Sequence, residues 1–95
     1  RLDNEEFAQS VVQAEAELSL AMARNAEADG ALRLIERDLD RLRLLHEQGD
    51  ASDAELDALL AEEVARRASV LATAAQVQRA QAVLEAEKIR LSYSE

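Results

Sequence analysis

Apolar side chains in the first half of this chain follow a single spacing rule. Phe7, Val11, Ala14, Leu18, Ala21, Asn25, Ala28, Leu32, Ile35, Leu39, Leu42 and His46 are separated by alternating steps of four and three residues. Such steps keep side chains on one side of a helix, and a seam held this long predicts a coiled coil. Asn25 is the polar member inside that seam, a placement that fixes register at some cost in stability.

The second half carries two stripes. Larger residues recur every seven positions at Leu56, Val70, Val77, Leu84 and Leu91, with Glu63 as the exception and Leu59 or Leu60 and Ala74 beside them. A second column runs Ala58, Ala61, Ala65, Ala68, Ala72, Ala75, Ala82, Ala86 and Ile89, broken by Arg79. The two stripes fall on nearly opposite sides of a helix, whereas a simple hairpin needs one. Alanine is a strong helix former wherever it stands. It also lets a second helix approach closely, so the column reads either as filler or as a further contact face.

Between the halves lies His46-Glu47-Gln48-Gly49-Asp50-Ala51-Ser52. Gly49 suits the left-handed position that closes a helix. Ser52 followed by Glu55 reads as a capping box opening the next one. Asp3-Asn4-Glu5-Glu6 offers an acidic start to the first helix. The chain is therefore expected to be all-α: an antiparallel two-helix coiled-coil hairpin over residues 1–95, excised from a larger protein. Helix 1 is placed at about 4–48, the tip at about 49–51 and helix 2 at about 52–92. One continuous helix is the competing arrangement; Gly49-Asp50, the capping box and the near-equal flanks argue for reversal. Facing the two large-residue seams predicts Leu18 near Leu84, Asn25 near Val77, Leu32 near Val70 and Leu42 near Leu60.

Composition narrows the picture. The chain has no Pro, Cys or Trp, and one each of Tyr and Phe. That alphabet writes helices but not a thick globular core. The net charge is −9, from 20 acidic and 11 basic residues, and both halves share it: six basic against eleven acidic up to Gln48, five against nine after it. An evenly acidic rod repels phosphate backbones, so nucleic acid is not an expected partner. Without cysteine there is no disulfide framework to mark a compartment. No apolar run approaches membrane-spanning length, so any export or anchoring signal is expected to lie outside this segment.

The candidate chemistry is sparse. A lone His46, no cysteine, no Gly-rich phosphate loop and no paired histidines at helical spacing leave no expected catalytic site, metal site or cofactor. His46 reads as a solvated end residue. Glu62 and Glu63 are placed to pair with Arg66 and Arg67 one turn on, for tenths of a kcal/mol. Gly49-Asp50-Ala51-Ser52-Asp53 is too short for a calcium loop.

Around the turn, Arg41, Leu45 and Ser52 are spaced Arg-x3-Leu-x6-Ser, followed by Glu55-Leu56-Asp57. This resembles the tip signature of the membrane fusion proteins, the periplasmic adaptors of tripartite efflux pumps and type I secretion systems. Arg1-Leu2-Asp3, Phe7 and Gln13 to Leu18 resemble that family's passage from its lipoyl-like domain into the first helix. Leu84 to Glu95 resembles the return. The resemblance implies a periplasmic protein held at the inner membrane, assembled as a ring, usually of six, around an inner-membrane transporter. It implies neighbouring hairpins packed side by side and tips that meet an outer-membrane channel through Arg41, Leu45 and Ser52. Each of the three also has a local reading. Ser52 is an N-cap, Leu45 can close the last core layer against Leu56, and Arg41 can pair with Glu36 or Asp38. The rival reading of the whole chain is a structural arm or scaffold hairpin of an unrelated protein. A basic arm would suit nucleic acid; this one is acidic.

Overall fold

The computed structural model describes residues 2–94, so Arg1 and Glu95 of the terminal signatures lie outside the described residues. The chain is an all-α helical hairpin: α1 is Leu2–Glu47 and α2 is Asp53–Ser94. No strand occurs among the described residues. α1 begins two residues before its expected start and α2 ends two residues after its expected end. Ser92 and Ser94 donate their hydroxyls back to the carbonyls of Ile89 and Leu91 at 2.8 and 2.7 Å, local side-chain bonds onto the preceding turn.

The turn is built by local chemistry on both sides. Gly49 has φ +81°, the left-handed conformation. The Gly49 N–H donates to His46 O at 3.1 Å and the Asp50 N–H to Leu45 O at 2.8 Å. These two bonds form a Schellman closure, which satisfies carbonyls that the helix end would otherwise orphan. α2 opens with the expected reciprocal cap: the Glu55 N–H donates to Ser52 Oγ at 3.1 Å, and the Ser52 N–H donates to Glu55 Oε1 at 3.2 Å.

The helices contribute to two compact units, one comprising the chain up to Asn25 and from Thr73 onward, the other Ala26–Ala72. In the first, Ala14, Ala21 and Leu84 are buried, with Phe7, Val11, Leu18, Val77 and Leu91 half-buried around them. Asn25 Nδ2 donates to Thr73 Oγ1 at 2.8 Å. The expected facing residue was Val77; the observed bonding partner is one turn nearer the tip. A seam residue enters a hole formed by several residues of the facing helix, and the amide turns to the one carrying a hydroxyl.

In the second unit Leu39 is the most enclosed side chain, 1% exposed, and Leu32 is buried beside it in the seam. Ile35 and Leu42 of α1 and Leu56, Leu60 and Val70 of α2 are half-buried. Arg67 bridges the helices to Glu36 at 3.4 Å and also reaches Glu63, one turn back, at 3.3 Å. Arg66 pairs with Glu62 at 3.2 Å, as the spacing predicted.

Every member of the α1 seam from Phe7 to His46 is buried or half-buried. On α2 the large-residue stripe is the enclosed one, and the whole alanine column is exposed. Val64 and Leu71 are 67% and 69% exposed and extend that outward apolar face. The physical reason is area. Burying Leu and Val removes more apolar surface from water than burying Ala, at about 25 cal/mol per Å².

Candidate functional site at the tip

The candidate site lies entirely within the Ala26–Ala72 unit. Two of the three signature residues share one surface feature. Arg41 and Leu45 line a shallow open groove of about 260 Å³ with Leu42, Asp38 and, from α2, Leu59. Leu42 and Leu45 stand one turn apart on α1, and Leu59 closes the apolar floor from the facing helix. Leu45 is 39% exposed, so it does not seal a core layer against Leu56. Its backbone carbonyl is held by Asp50, which fixes the last turn of α1 beneath the groove.

Arg41 is exposed and has no ion pair or hydrogen bond among the described residues. Of its two expected local partners, Glu36 is taken by Arg67. Asp38, half-buried on the same groove, makes no salt bridge to it. The guanidinium therefore lines the groove with its donors unengaged among the described residues.

Ser52 stands apart from the groove. Its hydroxyl accepts from the Glu55 N–H and donates to Glu55 Oε1 at 3.1 Å, so both of its roles are spent on opening α2. The structure thus brings Arg41 and Leu45 together and leaves Ser52 as the residue that sets the turn.

His46 differs from its sequence reading. It is half-buried at the end of the α1 seam, and its Nε2 lies 2.6 Å from Asp53 Oδ1. The bond ties the last turn of α1 to the first turn of α2, where the acidic Asp53 complements the helix dipole. The groove that joins Leu59 to Arg41 and Leu45, and the His46–Asp53 bond, escaped the sequence reading because each depends on which residues of the two helices meet. The paired leucines Leu59-Leu60 were the available signal: both are half-buried, and Leu59 lines the groove.

No group of three or more His, Cys, Asp or Glu able to hold a metal occurs among the described residues. No helix there is long and apolar enough to cross a membrane. Comparison with known proteins finds no matching family model, no matching curated protein and no matching solved structure.

Proposed function

We propose that this hairpin is the interaction arm of a periplasmic adaptor in a tripartite efflux or type I secretion system. Its tip docks onto an outer-membrane channel, and its outward helix faces pack beside the hairpins of neighbouring adaptor protomers in a ring. The inner-membrane transporter is met through domains outside this segment.

The observation that carries the reading is at the tip. An exposed leucine and an unpaired arginine stand together at the end of a hairpin whose seam needs neither. What sets these two apart is that they share one groove at the turn end of the hairpin, where both are accessible to a partner. The exposed alanine column, with Val64 and Leu71, supports the lateral half of the proposal, because small residues permit close helix approach. The formal charge of −9 argues against nucleic acid as the partner.

Site-directed cysteine cross-linking in the intact protein tests the reading. Leu45→Cys is expected to cross-link to the outer-membrane channel, and Ala68→Cys to a second copy of the adaptor. Arg66→Cys, beside the seam, is expected to join neither. Leu45→Cys adducts confined to copies of the chain itself would overturn the docking assignment in favour of a scaffold hairpin.

A further inference from the structure

We infer that the tip groove receives one aliphatic side chain from a helix of the docking partner, with a carboxylate one turn away on that helix meeting Arg41. The inference rests on the proposed docking function and adds to it the wall residue Leu59 and the chemistry of the occupant.

The open shape and apolar lining of the groove suit a protruding side chain. Pockets for drug-sized molecules run from about 300 to 1,000 Å³ and enclose most of their ligand. A shallow groove of about 260 Å³, open to solvent, suits a side chain better. Its floor is Leu42, Leu45 and Leu59, which offer an incoming side chain nothing to hydrogen-bond and much apolar surface to cover. Leucines drawn from both helices make a hole of the kind that accepts a knob from a third helix.

The rim sets the sign of the neighbouring charge. Arg41 is exposed and unpaired, whereas Asp38 is half-buried on the same groove. The more exposed of the two charges is the guanidinium, whose forked donors match a carboxylate. An acidic group beside the aliphatic one is therefore complementary, and a basic group is not.

The test uses the whole chain, isotopically labelled, and capped Ala-rich helical peptides as probes. One peptide carries a single Leu with Glu one turn on, a second Leu with Lys, and a third Ala with Glu. The Leu/Glu peptide is expected to shift the amide signals of Leu42, Leu45 and Leu59, and the Ala/Glu peptide is not. Leu59→Ala should weaken Leu/Glu binding roughly tenfold, the loss of one apolar wall. Leu59→Met, which keeps the volume, should retain it. The Leu/Lys peptide should bind about threefold to fivefold more weakly than Leu/Glu, as an exposed charge pair allows. Arg41→Glu should reverse that order. Shifts mapped to the outward alanine column, or an unchanged order in Arg41→Glu, would overturn the inference.

A companion assay separates this failure from that of the docking reading. In the intact protein, Leu59→Ala and Arg41→Ala are both expected to abolish export while Arg66→Ala does not. Loss in Arg41→Ala with full activity in Leu59→Ala would overturn the groove and leave tip docking standing. Activity in both, equal to Arg66→Ala, would overturn both.

Discussion

Single residues at the turn and in the seam carry separable amounts of the stability. The two glycines make the clearest contrast. A Cβ built on either meets nothing within 4 Å, so only the backbone distinguishes them. Gly49 sits at φ +81°, where an L side chain costs roughly 1–2 kcal/mol. Gly30 is an exposed residue inside α1, where Ala is favoured by about 1 kcal/mol. Gly49→Ala is therefore expected to lower the urea midpoint and Gly30→Ala to raise it; shifts of the same sign would refute the assignment. Asn25 and Thr73 supply a second residue-scale prediction. Thr73→Val removes the hydroxyl that accepts the Asn25 amide and should cost about 1 kcal/mol. Adding Asn25→Leu should recover that loss by replacing the polar pair with apolar contact. Denaturant unfolding of the four combinations closes the cycle, and strict additivity would mean that the two side chains do not interact.

At the scale of the element, each helix is defined by which of its faces is enclosed. The α1 seam was legible from the sequence because it is the one stripe on that helix with unbroken four-and-three spacing. Helix 2 was ambiguous, since its alanine column follows a helical repeat as well as its large residues do. Area resolves the choice, and the leucines and valines turn inward. The turn was legible for a different reason: Gly49 and the Ser52–Glu55 pair act within a few residues of themselves. The particular bonds and groove contacts between the helices were not. Asn25 with Thr73, His46 with Asp53 and Leu59 with Arg41 in the groove all depend on register, which spacing along one helix does not fix to the residue. The enclosed and outward faces should differ in energy. Leu39→Ala, at the most enclosed position, is expected to cost about 2–5 kcal/mol. Leu34→Ala, at a site 54% exposed, should stay within about 0.5 kcal/mol. Similar melting shifts for the two would mean that the seam is misassigned.

For the whole molecule, charge and function set the terms. A net charge of −9 spread over both halves opposes contact between copies, and the alanine column offers little apolar area per residue to offset it. The isolated chain is expected to sediment as a monomer at micromolar concentration, and the proposed lateral packing would then need support from outside this segment. A tight oligomer of the isolated chain would contradict that division of labour. The central claim, that the tip is a contact surface rather than a structural end, makes its sharpest demand on Arg41. An exposed arginine with no partner in the hairpin should contribute roughly 0–1 kcal/mol to stability. Arg66, paired only with Glu62 on its own helix, belongs in the same range and is the matched control. The deciding measurement sets the thermal melt of Arg41→Ala and of Arg66→Ala beside the export activity of the intact protein carrying each. The account predicts two nearly unchanged melts, with export lost in Arg41→Ala and kept in Arg66→Ala; equal export in the two variants would contradict it.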